Sequence, residues 1–184
     1  MAHICPWWLT FTFDNPLRRL LHEPRAMLAP YVRAGMRVAD LGCGMGHFTV
    51  GLADLVGPNG HVQAVDLQPE SLARVRKRLE RAGLLPRVTL AHAEPTGLGL
   101  EGSVEFVLAF WMVHEVPDAR GFFAQVREHL APGGCMLVAE PRMHVKAESW
   151  ARSLVIAQTE GLRPSAQSPE IRWSHAALLE RPVG

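Results

Sequence analysis

From residue 37 onward, short apolar runs alternate with stretches whose apolar residues recur every three or four positions. That rhythm restricts the fold more than any other feature of the chain. RVADL (37–41) reads as a strand, HFTVGLADLVG (47–57) as a helix with Phe48, Leu52 and Leu55 on one face, and HVQAVDL (61–67) as a second strand. PESLARVRKRLERAG (69–83) has Pro69 at its start and Gly83 past its end, the asymmetry expected of a helix, with Leu72, Val75 and Leu79 along one side. RVTLAHA (87–93) is a third strand, and VEFVLAFWMV (104–113) a fourth, apolar enough to be buried on both faces. PDARGFFAQVREHLAPGG (117–134) is a helix closed by a Pro-Gly-Gly turn, and CMLVAEP (135–141) a fifth strand. HVKAESWARSLVIAQTEG (144–161) is the last helix, and two short strands are expected within 162–181. Such alternation predicts an α/β fold, a parallel sheet with helices on both faces and right-handed crossovers.

The 184 residues suffice for one sizeable core. Residues 37–184 are expected to form it as a single unit. Residues 1–36 are expected to form an N-terminal cap, made of the aromatic CPWWLTFTF and of NPLRRLLHEPRAMLAPYV, read as helical and broken at Pro24. A formal charge of +1 gives no electrostatic reason for a polyanionic partner, so nucleic acid is not expected. The opening MAHICPWWLTFTF is too short to span a bilayer and lacks the basic start and cleavage site of a secretory signal. A cytoplasmic protein without stable membrane insertion is therefore expected. The three cysteines (Cys5, Cys43, Cys135) make no disulfide framework, and neither CxxC nor HExxH occurs, so no metal site is expected. A homodimer is left open as the assembly.

In VADLGCGMGHFT, Gly42, Gly44 and Gly46 fall between the first strand and the first helix after it. Ligands of open parallel sheets bind at the carboxyl ends of the strands, and a loop of small residues allows close approach. His47 stands where the third glycine of a dinucleotide loop belongs, and no Gly-Lys-Ser/Thr of a phosphate loop follows. The second strand ends at Asp66, a carboxylate placed to accept hydrogen bonds from ribose hydroxyls and to disfavour a 2′-phosphate. Together these features point to a nucleoside with free ribose hydroxyls and little or no pyrophosphate.

VADLGCGMGHFT, VQAVDLQPESL and LAPGGCMLVAEP, in that order, resemble the motifs of class I S-adenosylmethionine-dependent methyltransferases, and most of all the small-molecule enzymes of the ubiquinone/menaquinone-biosynthesis type. The resemblance covers roughly residues 30–182. It implies a Rossmann-like three-layer sandwich whose seven-stranded sheet is mostly parallel with an antiparallel C-terminal strand. It also implies S-adenosyl-L-methionine as cofactor. Asp40 and the loop of Gly42, Cys43, Gly44 and Gly46 would hold its methionine end, Asp66 its ribose, and Leu67, Ala93 and Glu94 its adenine. Phe110 and Trp111 would line cofactor and substrate, where aromatic faces favour a sulfonium cation by about 0.5–2 kcal/mol.

Methyl transfer needs proximity, orientation and sometimes a base. The candidate base is His114, in FWMVHEVPD just past the fourth strand. The Asn/Asp-Pro-Pro-Tyr run common in enzymes that methylate nucleic-acid bases or glutamine amides is missing there, which points to a small-molecule acceptor: a thiol, a hydroxyl or an activated carbon. Trp7 and Trp8, with Phe11 and Phe13, are candidates to roof an apolar substrate pocket within reach of His3 and Cys5. Two alternatives compete: a protein that kept the fold to bind a cofactor or partner without turnover, and a nicotinamide oxidoreductase, which His47 argues against.

Overall fold

The computed structural model describes residues 22–94 and 97–183. The strands are β1 (Arg37–Leu41), β2 (His61–Asp66), β3 (Val88–His92), β4 (Val104–Phe110), β5 (Leu130–Pro141), β6 (Arg163–Pro164) and β7 (Ser174–Glu180). The helices are α1 (Pro24–Leu28), α2 (His47–Val56), α3 (Pro69–Ala82), α4 (Ala119–His129) and α5 (Ala147–Thr159). One seven-stranded sheet runs β3-β2-β1-β4-β5-β7-β6. β1 to β5 are mutually parallel, whereas β7 runs antiparallel to β5 and to β6. This is the mixed, three-layer Rossmann-like sheet that the resemblance implies.

The pleat sends alternate residues to opposite faces, and two cores result. Val38 of β1, Phe106 and Leu108 of β4 and Leu137 of β5 pack beneath α2 and α3 with Phe48, Leu52, Val75 and Leu79. Ala39 and Leu41, Val107 and Ala109, and Met136 and Val138 face α4 and α5, where Phe122, Phe123, Val126 and Ala157 meet them. β4 is buried from Phe106 to Phe110, as a central strand with helices on both sides requires. Leu28 and Val32 join the first core, so the segment before β1 packs against the sheet domain.

Three boundaries differ from the sequence expectation. The fourth strand stops at Phe110, because Trp111 takes a left-handed φ of 60° and a short 3-10 turn, Val113–Glu115, follows. The helix expected to reach residue 134 ends at His129. Pro132 disfavours helix at the residue before it, and Gly133 takes φ 79°, so Leu130 to Gly134 already belong to β5. Pro24 begins α1 at its first turn, with the Glu23 carboxylate accepting the Arg25 N–H at 3.1 Å; the part of the expected helix before residue 22 lies outside the described residues.

Gly51 marks where α1 lies on α2: a Cβ there would stand 2.5 Å from Pro24 Cβ. Alanine favours a helix over glycine by about 1 kcal/mol, but overpacking costs about 1–3 kcal/mol, and the proline ring cannot swing aside. Gly51→Ala is therefore expected to lower the melting temperature, at about 2–4 °C per kcal/mol for a domain of this size. A rise in thermal denaturation would show that α1 yields freely.

Candidate active site

Parallel pairing brings the carboxyl ends of β1, β2, β4 and β5 to one edge of the sheet. The glycine loop leaves β1 there with φ of 66° at Gly42, 51° at Gly44 and 76° at Gly46. The glycines serve different needs. A Cβ on Gly42 would lie 2.9 Å from Met112, and one on Gly46 would lie 3.1 Å from Val75. A Cβ on Gly44 would meet nothing within 4 Å, so this residue needs only its backbone conformation and faces open space. The Cys43 N–H donates to the Val65 carbonyl at 2.9 Å, fastening the loop to β2.

Asp66 ends β2 and is 8% exposed. Its Oδ2 accepts the Gly44 N–H at 2.8 Å and its Oδ1 the Gln68 N–H at 2.9 Å. A carboxylate has about four acceptor sites, more than the backbone donors of Gly44, Gln68 and Leu67 fill. Burial raises the Asp66 pKa above the usual carboxylate value, partly countered by the hydrogen bonds from Gln68 and Gly44. Asp40 is buried beneath the loop and accepts the Thr49 hydroxyl at 2.6 Å. Burial, with the charges of Asp40 and Asp66, pushes the Cys43 thiol far up. Leu67 stands beside Asp66 with 39% of its surface exposed, an apolar side chain at the rim. Ala93 is buried, and its N–H donates to the Asp66 carbonyl at 3.0 Å; Glu94 is exposed. These residues form an open, glycine-lined cradle beside a carboxylate with lone pairs to spare and an apolar rim, which fits an adenosine-type cofactor.

Phe110 is buried in an aromatic cluster, 4.5 Å from the Phe48 ring and 5.2 Å from Trp111. Trp111 is half-buried, and its indole N–H donates to the Ser174 hydroxyl at 2.9 Å. The His22 ring meets both Phe110 and Trp111 edge-on, and its backbone carbonyl accepts the His47 Nε2–H at 2.8 Å. Trp7 and Trp8, with Phe11, Phe13, His3 and Cys5, lie outside the described residues. Among the described residues, no three His, Cys, Asp or Glu side chains gather to hold a metal ion, and no helix is long and apolar enough to cross a membrane.

His114 lies in the 3-10 turn after β4, and its partner is Glu140, a buried carboxylate near the end of β5. Glu140 Oε1 accepts the Val113 N–H at 2.9 Å, and Oε2 accepts the His114 N–H at 3.3 Å and is also bonded to His114 Nδ1. With Nδ1–H donated to Glu140, Nε2 is left as the acceptor of the neutral ring; it lies 3.9 Å from Glu115 Oε1. Burial lowers the His114 pKa, but the hydrogen bond and charge of Glu140, with a contribution from Glu115, raise it above 6.5 overall. Sequence reading missed Glu140. The available signal was one carboxylate in the apolar run CMLVAEP, at a position where the strand is otherwise buried.

Comparison with known proteins shows the family. The family described as "Methyltransferase domain" matches residues 38–134. The carboxy-S-adenosyl-L-methionine synthase of Dichelobacter nodosus is 32% identical over 122 residues, 66% of this chain and 51% of that protein. The demethylmenaquinone methyltransferase of Staphylococcus aureus is 30% identical over 131 residues, 69% of this chain and 53% of its own length. The chain thus spans about half the length of these curated relatives. The crystal structure of an S-adenosylmethionine-dependent methyltransferase from Aquifex aeolicus superposes with a TM-score of 0.85 at 20% identity, covering 97% of this chain and all of that one; at this identity the likeness shows the fold.

The ion pair of His114 with Glu140 contributes stability in full below the ordinary histidine value of 6.5 and loses it as pH rises through the raised value of the folded protein. Glu140→Gln is expected to lower the His114 midpoint in an NMR histidine titration and to flatten this part of the stability–pH curve. Glu140→Leu strands two backbone N–H groups and is expected to cost about 1–3 kcal/mol in urea unfolding. An unmoved His114 midpoint in Glu140→Gln would remove Glu140 as its partner.

Proposed function

Because the chain belongs to the class I S-adenosylmethionine-dependent methyltransferases, we propose that it moves a methyl group from S-adenosylmethionine to a small-molecule acceptor through a thiol, hydroxyl or activated carbon. The observation that carries the reading is the bond between the Gly44 N–H and Asp66 at 2.8 Å, which joins the open glycine loop and the strand-tip carboxylate into one cradle. In this reading Asp40 and the backbone of Gly42, Cys43, Gly44 and Gly46 hold the methionine end. Asp66 takes the ribose hydroxyls on its spare lone pairs, while Leu67, Ala93 and Glu94 border the adenine. Phe110 backs the site from its aromatic cluster. Trp111, together with Trp7 and Trp8 of the N-terminal segment, is assigned to the acceptor.

The bound cofactor supplies a methyl carbon already activated by its sulfonium. The chain's own task is to hold the acceptor in line and to take a proton where the acceptor has one to lose. His114 is assigned as that base: its Nε2 would accept the proton of an acceptor hydroxyl as that oxygen takes the methyl group, and would hold it as the imidazolium. Glu140 acts as a positioning residue, fixing the tautomer through Nδ1 and stabilising the imidazolium that forms.

Calorimetric titration with S-adenosylmethionine and S-adenosylhomocysteine tests the first part. Both are expected to bind, and Asp66→Ala is expected to weaken them by about 1–3 kcal/mol; unchanged affinity would remove Asp66 from the site. Turnover tests the second part. His114→Ala is expected to leave cofactor affinity intact and to lower kcat by about 10²–10⁴-fold. The wild-type rate should rise with pH through the raised His114 pKa, since only the neutral ring accepts a proton. A pH profile identical in His114→Ala would assign the base elsewhere.

A further inference from the structure

Building on that reading, we propose that Arg78 of α3 is a positioning residue for S-adenosylmethionine: by holding the Met45 carbonyl it keeps the glycine loop in the form that receives the methionine end. Successive residues of the loop are held one by one by β2 and α3. The Cys43 N–H donates to the Val65 carbonyl at 2.9 Å, and the Gly44 N–H donates to Asp66 at 2.8 Å. The Met45 carbonyl accepts from Arg78 Nη1 at 2.8 Å. Gly46 lies against Val75, whose methyl groups would stand 3.1 and 3.2 Å from a Cβ placed there.

Val75 and Arg78 occupy positions i and i+3 of α3, so they share a face and meet the loop together. Val75 is buried and sets how near the helix comes; half-buried Arg78 adds the directional, charge-assisted bond. That bond acts on a particular peptide. The unit joining Met45 to Gly46 is planar, so fixing both its ends fixes its plane. Arg78 holds the carbonyl end, and the Cys43 carbonyl holds the N–H end, accepting from Gly46 at 2.9 Å. The second bond closes a turn from Cys43 to Gly46 in which Gly44 takes φ 51°. Since a Cβ on Gly44 would meet nothing within 4 Å, its conformation rests on the turn rather than on packing of its own.

The helix that carries Arg78 also begins at the other end of the cradle. α3 starts at Pro69, directly after the Gln68 N–H that Asp66 accepts at 2.9 Å. One helix therefore runs from the strand-tip carboxylate back to the loop. It fixes the spacing between the groups assigned to the ribose and those assigned to the methionine end. Arginine suits the task because its long stem reaches the loop while its guanidinium stays charged at any working pH.

Two readouts on the full chain test this: calorimetric affinity for S-adenosylmethionine and S-adenosylhomocysteine, and NMR hydrogen exchange of the Gly46 amide without ligand. Arg78→Met keeps the stem and removes the guanidinium. It is expected to speed Gly46 exchange and to weaken both nucleosides by about tenfold, the scale of one lost charge-assisted hydrogen bond. Arg78→Lys is expected to recover part of both effects, and it carries the test if Arg78→Met does not fold. Arg81→Met, which removes an exposed charge from the same helix, is expected to change neither. S-adenosylmethionine bears a sulfonium charge that S-adenosylhomocysteine lacks, so losing a cation for its charge alone would favour the former, whereas a loosened loop weakens both alike. Faster exchange with unchanged affinity would make the contact merely structural, and weaker binding with unchanged exchange would place the effect elsewhere; either overturns the proposal. If the wild-type chain binds neither nucleoside, the cofactor reading fails, and Gly46 exchange still judges the hold of Arg78 on the loop.

Discussion

Parallel pairing of β1 with β2 and β4 is the constraint on which the rest of the molecule depends. Parallel neighbours cannot be joined by a tight hairpin, so the chain must cross back over the sheet, and α2, α3 and α4 supply the crossings from β1 to β2, β2 to β3 and β4 to β5. The carboxyl ends of β1 to β5 then collect on one edge. Residues far apart in sequence meet there: Asp40 near the end of β1, Asp66 at the end of β2, the turn after β4 and Glu140 near the end of β5. No single segment of the chain could assemble that group.

Backbone donors hold much of the group in place. Asp66 takes the N–H groups of Gly44 and Gln68, and Glu140 those of Val113 and His114. Each carboxylate ties a loop to the tip of a strand, so each is a structural clamp and a chemical group together. A buried carboxylate without such donors would be costly to desolvate. Here the loops it organises supply the compensation.

Much of this was legible in the sequence. The spacing of Leu72, Val75 and Leu79 between Pro69 and Gly83 gave α3 directly, because a surface helix writes its buried stripe into its sequence. Alternate glycines after an apolar run, with Asp66 at the next strand's end, marked the cradle. The boundaries around β5 were harder. LAPGG carries turn chemistry, yet it continues as extended chain because β4 offers a partner at Val104. His114 and Glu140 are 26 residues apart, and Trp111 and Ser174 are 63 apart. Such pairs depend on strand order, which no local pattern encodes. The left-handed Trp111 was equally hidden: bulky residues avoid that conformation, and here it accompanies the packing of Trp111 and Phe110 with His22 and Phe48.

Cys43 has a consequence of another kind. Its thiol sits among the loop glycines, buried and flanked by the carboxylates of Asp40 and Asp66, and both burial and those charges oppose ionisation. Oxidants and electrophiles attack the thiolate, not the thiol. The same negative groups that make the cradle polar thus keep its sulfur chemically quiet. The loop carries a small, polarisable side chain whose burial and charged neighbours disfavour its oxidation.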